Sequence, residues 1–360
     1  MTIILFITIL SLLILIHEFG HFIVAKKNGI LVEEFGLGLP PRIFGVKIGE
    51  TFYSLNILPI GGFVKVLGEE EAEKASIPKK LISRTFYSKR PLVKAGVVIA
   101  GVACNFLLGW MLISYLFTKG VPVPSTRVVV EKVEKNSPAA LAGLKEGDKL
   151  IELKSGNSSE KLNSNEKLIK LTDKFAGAEI AITFKRGALD KTLMLTPRKN
   201  PPKGEGPLGI VLKPYEIKKY SITQAPFYGL YHSTRITGTV AKELLSTAFK
   251  FLTLQKTKTD VAGPVGIAIL TREAARSGLD PLLQLIAILS LNLAVINIFP
   301  FPALDGGRLV MIVYEGVTKR KINPNIERRL NIAGFAILLS LILVVTISDL
   351  IKVATKTAFF

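Results

Sequence analysis

Residues Ile3 to Ile16 carry no charge, and this run ends directly in His17-Glu18-Phe19-Gly20-His21. No other feature constrains the chain as much. The apolar character resumes at Phe22–Ala25, giving the roughly 20 residues that a helix needs to cross a bilayer. On a helix, the HExxH spacing puts His17 and His21 at i and i+4 on one face, where both imidazoles can ligate a zinc ion. Glu18 then stands where it can work on a water activated by the metal. Two imidazoles and a carboxylate are costly to insert into hydrocarbon, so here they mark a functional site. Two of the three histidines in the chain lie in this pentapeptide.

Three more apolar runs are long enough to span: about 92–117, interrupted only by Lys94, about 281–301, which contains Asn292 and Asn297, and about 330–350. Hydrophobic residues make up 49% of the 360 and the mean hydropathy is +0.40, as expected for a membrane protein with a water-exposed part. The first run has no basic n-region and no small-residue cleavage site, so it reads as a retained span rather than a removable signal peptide.

The net charge of +19 follows from the basic short loops. Lys26 and Lys27 flank the first span, Lys79, Lys80, Arg84, Lys89 and Arg90 precede the second, and Lys319, Arg320, Lys321, Arg328 and Arg329 lie between the third and fourth. With four spans these fall on one side, which the positive-inside rule makes cytoplasmic. Both termini and residues 119–280 are then outside. No nucleic-acid-binding motif is present and aromatics do not interleave with the basic runs, so no nucleic-acid partner is expected. Cys104 is the single cysteine, so the outside part must fold without an intrachain disulfide.

Within that outside part, residues about 121–216 alternate as short strands: Arg127–Val133, Leu150–Lys154, Glu179–Lys185, Lys191–Thr196 and Leu208–Lys213. Between the first two stands the run Ser137 to Ile151, in the pattern SPAxxAGLxxGDxI, which resembles the short helix and turn of a PDZ domain. Asn163–Lys174 reads as its second helix. PDZ domains capture extended peptides at a sheet edge, and Gly206, Leu208, Gly209 and Ile210 fit that edge in the circularly permuted bacterial arrangement. A peptide-binding or gating role and an unused groove both stay open. Ser221–Leu254 reads as an amphipathic helix at the outer membrane surface, with His232 a solvated or interfacial residue, Lys256–Lys258 a solvated charge run, and Ala262–Gly266 a turn before the third span.

Zinc needs a third protein ligand. In the segment Asn297 to Gly307, two prolines and two glycines break the third helix near its cytoplasmic end. Irregular backbone at that depth must be buried in protein or line a cavity. Asp305 supplies an oxygen there, at the depth where the first span presents His17 and His21. The ligand reading is preferred to that of a helix-terminal turn aspartate.

Taken together, HEFGH in the first span, NIFPFPALDGG after the third and the intervening PDZ-like region resemble the site-2 protease (M50) family of intramembrane zinc metalloproteases, of the bacterial RseP type. Pro59–Lys65 is similar to the membrane-associated β-hairpin of that family, and Asp260–Ala268 to its GPVGIA segment. The best-known members carry two PDZ domains and this chain has room for one. The resemblance implies a multi-pass α-helical membrane protein of four transmembrane helices, with a β-hairpin and an inserted α+β PDZ domain. The expected divisions are 1–118 and 281–360 as two halves of the protease core, 119–220 as the PDZ domain, and 221–280 as the juxtamembrane segment.

The resemblance further implies one zinc (Zn2+) per chain on His17, His21 and Asp305, with Glu18 as general base. Asn297 and Asn292 match family asparagines that contact substrate, although an interhelical hydrogen bond explains Asn292 equally well. A transmembrane substrate satisfies its own backbone and must unwind to be cut. The hairpin around Gly61 and Gly62 is expected to offer the unwound segment an edge for strand addition. The implied substrates are single-pass membrane proteins such as anti-sigma factors or signal-peptide remnants. They are cut in the cytoplasmic (inner) membrane of a bacterium, after an upstream site-1 protease. The rivals are a non-catalytic scaffold that binds peptides through its PDZ domain and a metal transporter.

Overall fold

The computed structural model describes residues 2–69, 77–125, 127–156, 158–202, 204–253 and 262–355. The charge run Lys256–Lys258 and the first two residues of the GPVGIA match, Asp260 and Val261, lie outside them. Two compact units are present, one formed by residues 1–118 with 221–360 and the other by 119–220.

The first unit begins with helix α1 (Thr2–Lys27), whose last turn carries Lys26 and Lys27, a favourable place for positive charge at a helix C-terminus. Strands β1 (Val32–Ile48) and β2 (Thr51–Val66) follow and pair antiparallel. Both bend sharply enough to pair twice. Residues 42–48 pair with 51–56, the same 51–56 region pairs on its far side with 34–37, and 32–37 pairs in turn with 62–66. The curled sheet therefore ends in an edge segment, 62–66, with no strand on its outer side among the described residues. The Asn56 amide holds the curl by donating to the carbonyls of Leu37 and Gly38 at 3.3 and 3.1 Å. Ser11 of α1 donates to the Pro59 carbonyl at 2.5 Å, tying the bend to the first helix. A short 3-10 helix (Lys79–Arg84) leads to α2 (Pro91–Lys119).

In the second unit, β3 (Val121–Pro124) starts the chain and β4 (Val128–Val133) precedes α3 (Pro138–Ala142). Then come β5 (Lys149–Ser155), β6 (Ser158–Lys161), α4 (Asn165–Lys174), β7 (Ile180–Arg186), β8 (Leu189–Leu195), β9 (Ile210–Leu212) and β10 (Tyr215–Lys218). The strand order is β8-β7-β5-β4-β9, with β6 on β5. Ser137 and Ser164 cap their helices by accepting from Ala140 and Lys167 N–H. The core holds Val128, Val130, Leu150, Leu153, Leu168, Ile180, Ile182 and Phe184, all nearly solvent-free, each contributing about 1.5–3 kcal/mol by burial. Strands β3 and β10 pair antiparallel, Val121 opposite Lys218, so the two ends of this unit lie side by side.

The chain returns to the first unit as α5 (Ala225–Leu252), α6 (Pro264–Ser277), α7 (Leu279–Ile298), α8 (Asp305–Thr318) and α9 (Pro324–Ala354). Helices α1, α2, α7 and α9 are long and apolar enough to cross a membrane. Two helices differ from the expectation. Residues 262–266 are not simply a turn: Gly263 is the N-cap of α6 and Pro264 its first residue, a position where the missing proline N–H costs nothing. Asp305-Gly306-Gly307 opens α8 rather than only interrupting a span.

The helices of this unit approach closely through small residues. A side chain at Gly20 would collide with the Ala100 carbonyl, and one at Gly101 with the rings of His21 and His17. Ser290 Oγ of α7 donates to the Asn105 carbonyl of α2 at 2.8 Å. Asp349 of α9 accepts from the Gly266 N–H at 2.8 Å, joining α9 to the start of α6. An apolar cluster of Ala25, Ile30, Val32, Val66, Phe86, Val97, Val98 and Ile312 ties the end of α1 to the sheet, α2 and α8.

Candidate active site

Helical spacing brings His17 and His21 together, with their rings edge to face at 4.7 Å between centroids. Gly101 leaves α2 without a side chain at the place these rings occupy. The turn after α7 then delivers Asp305. His17 Nε2 lies 2.8 Å and His21 Nε2 3.2 Å from Asp305 Oδ2, and the two imidazole nitrogens are 3.1 Å apart. Among the described residues this is the one group of three or more such side chains with metal-ligating spacing.

The donor set fits zinc. Ligands about 2.0–2.2 Å from a tetrahedral ion stand roughly 3.3 Å from each other, and the observed triangle needs to open by only a few tenths of an ångström. Buried Asp305 Oδ2 has no hydrogen-bond partner among the described residues, although the two imidazole nitrogens face it. His21 Nδ1 lies 2.8 Å from the Val97 carbonyl. In the neutral ring this nitrogen donates, leaving the Nε2 lone pair to face Asp305. Second-shell hydrogen bonds of this kind fix the tautomer of metal-binding histidines.

Two cavities meet at this centre, and Glu18 and Asp305 line both. One, of about 240 Å³, lies on the His21 side and is bounded by Phe63, Val64 and Val66 of the edge segment and by Glu69 and Arg308, which form an ion pair. The other, of about 320 Å³, lies on the His17 side and is bounded by Asn105, Leu293, Asn297 and Ala303. Gly62 sits near Glu18, since a Cβ there would be 3.8 Å from Glu18 Cγ, and Gly61 (φ 84°) faces Ile14.

Asn297 Nδ2 stands 3.4 Å from His17 Nε2, too far for a strong hydrogen bond. Asn292 lines neither cavity, and its buried Oδ1 has no partner among the described residues. The five residues from Asn292 to Asn297 turn the helix by about 140° relative to one another, so the two amides occupy different faces. Ser290, Leu293 and Asn297, at helical spacing, share the face that meets α2 and the cavity.

In the 119–220 unit, Gly206 is exposed, Leu208 is buried in the core, and Gly209 (φ 68°) forms the turn into β9, which begins at Ile210. Strand β9 pairs with β4 on one side alone among the described residues. The Leu208 and Gly209 carbonyls are taken by the Ala139 and Glu134 N–H groups. His232 packs against Phe117 at 4.8 Å between ring centroids. Its imidazole lies below the ordinary histidine value because burial, and secondarily Arg235, disfavours the charged form.

Sequence reasoning passed over Asn105, Arg308 and the Val97 carbonyl. Asn105 had one visible signal, an amide within an otherwise largely apolar run. Arg308 and Val97 had none, because their roles depend on contacts between distant segments.

A largely buried centre of two histidines and one carboxylate, with an adjacent glutamate and set among membrane-length helices, has the ligand set of a zinc peptidase. The sequence pattern of peptidase family M50 matches residues 5–341, and the chain belongs to that family. A zinc-metalloprotease relative from Clostridium perfringens is 36% identical over 354 residues, covering 95% of this chain and 96% of the relative. The regulator of sigma-W protease RasP from Bacillus subtilis is 28% identical over 424 residues, covering 97% and 98%. Zinc metalloprotease RasP from Shouchella clausii is 28% identical over 432 residues, covering 98% and 99%. Among solved structures, a PDZ domain of an SdrC-like protein from Listeria monocytogenes is 27% identical with a TM-score of 0.21, covering 26% of this chain and 93% of that one. The protein is thus a zinc metalloprotease, and the scaffold and transporter readings are set aside.

Proposed function

We propose that the chain is a four-span intramembrane protease that hydrolyses peptide bonds within or near the transmembrane segments of single-pass proteins. The observation that carries this reading is the approach of Asp305 to His17 and His21, which sit with Glu18 on a helix long and apolar enough to span. His17, His21 and Asp305 hold one zinc ion. When bound, zinc lowers the pKa of water and polarises the scissile carbonyl. Glu18, which lines both cavities, takes the proton from the attacking water and passes it to the leaving amine. Asn297 faces the same centre and is suited to donate to the developing oxyanion.

An unwound substrate needs partners for its main chain. The open edge at 62–66 passes beside Glu18 and supplies them by strand addition, with Gly61 and Gly62 letting the substrate come close. The 119–220 unit is read as a PDZ domain whose β9 edge binds peptide or limits access by bulky ectodomains. The basic loops support a site near the cytoplasmic face of a bacterial inner membrane, with the 119–220 unit outside. One relative's name ties it to regulation of sigma-W. By analogy the substrates are anti-sigma factors or signal-peptide remnants, trimmed first by a site-1 protease.

The test uses the full chain purified in detergent, with zinc content and cleavage of a model transmembrane substrate measured together. Glu18→Gln is expected to retain zinc and lose cleavage by at least about 100-fold, whereas His17→Ala loses both. A chelator removes metal and activity together, and added zinc restores them. Equal cleavage by wild type and Glu18→Gln would sink the mechanism.

A further inference from the structure

Asn105 is fully buried in α2, and neither Oδ1 nor Nδ2 has a hydrogen-bond partner among the described residues. A buried amide left unbonded at both ends costs folding free energy. It does not join the helices either, because the α2–α7 hydrogen bond runs from Ser290 to the main-chain carbonyl of Asn105. Asn105 lines the cavity of about 320 Å³ together with His17, Glu18, Asn297 and Asp305. Gly101, which lies against both imidazoles, is four residues earlier, on the same face of α2 and about 6 Å away along the axis.

The geometry points to Asn105 as a substrate-contacting residue: its amide binds the main chain of the unwound segment beside the scissile bond. Oδ1 accepts from a substrate N–H and Nδ2 donates to a substrate C=O. An unwound transmembrane segment brings just such unpaired groups into the site. A primary amide offers the matching donor and acceptor without adding charge, whereas a carboxylate would only accept. The edge segment 62–66 lines the other cavity, so the two features would hold the substrate on either side of Glu18. This inference rests on the reading of the site as a peptidase for unwound membrane segments.

The experiment compares wild type, Asn105→Leu and Asn105→Ser as full chains in detergent, measuring zinc content, melting temperature and kcat/KM on a model single-pass substrate. Asn105→Leu is expected to keep wild-type zinc and to melt at or above the wild-type temperature, because an unbonded amide has been replaced by an apolar group of similar size. Its kcat/KM is expected to fall about 10- to 100-fold, the loss typical of an unpaired main-chain group. Asn105→Ser, which keeps one polar atom, falls between. A purely structural amide would give the opposite pattern, with lower melting and lost zinc in both variants, and that result overturns the proposal. So does cleavage by Asn105→Leu within twofold of wild type, as expected if only ordered water meets the amide. If wild type itself holds no zinc and cleaves nothing, the peptidase reading fails and this inference falls with it. A cleaving wild type matched by Asn105→Leu refutes this inference alone.

Discussion

Ala303 has a φ of 70° two residues before Asp305, in a region of backbone space that side chains disfavour. Its N–H donates to Asn331 Oδ1 at 3.3 Å, which fixes the turn that aims Asp305 at the histidines. A β-branched side chain is least tolerated there. Ala303→Val is expected to cost on the order of 1–3 kcal/mol and to lower zinc retention, whereas Ala303→Gly should be neutral or stabilising by up to about 1 kcal/mol. Melting temperature and bound zinc check both. Asp148, in the 119–220 unit, is a buried carboxylate of another kind. Arg186 donates to both of its oxygens at 2.7 Å, and the Lys145 N–H adds a third bond at 2.8 Å. Burial alone would raise the Asp148 carboxyl, but Arg186 and the amide outweigh it and hold it below the ordinary value. The unfolded chain then binds the proton more readily. The stabilisation is full above the unfolded value of about 3.9 and is lost as pH falls through the lower folded value. NMR-followed melting of this unit should therefore drop in acid, and Asp148→Asn should remove most of that dependence while costing about 1–3 kcal/mol at neutral pH.

The approach of His17, His21 and Asp305 depends on how closely α1 and α2 pack, and glycine sets that distance. At Gly20 and Gly101 any Cβ would meet the main chain of α2 or the imidazoles. Gly20→Leu should push the helices apart, since overpacking of this kind costs about 1–3 kcal/mol or more. Zinc content and cleavage should both fall at least about tenfold, which metal analysis and a substrate assay would show; retention of both would refute the close-packing argument. The long elements were legible because their signal is local: apolar runs at 92–117 and 330–350 announce α2 and α9, whose ends lie a few residues further out. Elements opened by breaker residues were not. Gly263-Pro264 read as a turn and Asp305-Gly306-Gly307 as part of a break in the third span, yet each begins a helix. The strand expected at Leu208–Lys213 starts only at Ile210, because Gly209 is still turning. The double pairing that leaves 62–66 at an edge was invisible, since register depends on where a strand bends and folds back.

At the scale of the molecule, residues 119–220 are an insertion whose first and last strands pair with each other. Ends held side by side allow excision without stretching the remainder. Replacing 119–220 by a short Gly/Ser linker should leave zinc content unchanged and preserve cleavage of a substrate already trimmed on the outside. If the unit limits access, cleavage of untrimmed substrate should rise several-fold; unchanged discrimination would refute gating. The sequence by itself determined the membrane-length helices, the HExxH pair and the candidate third ligand, because composition and helical spacing act over a few residues. Only the tertiary structure decided that Asp305 reaches both imidazoles, that Val97 orients His21, that Asn297 and not Asn292 faces the cavity, and that the Asn105 amide has no partner among the described residues. Each of these depends on how segments tens to hundreds of residues apart are packed, and no local pattern records that distance.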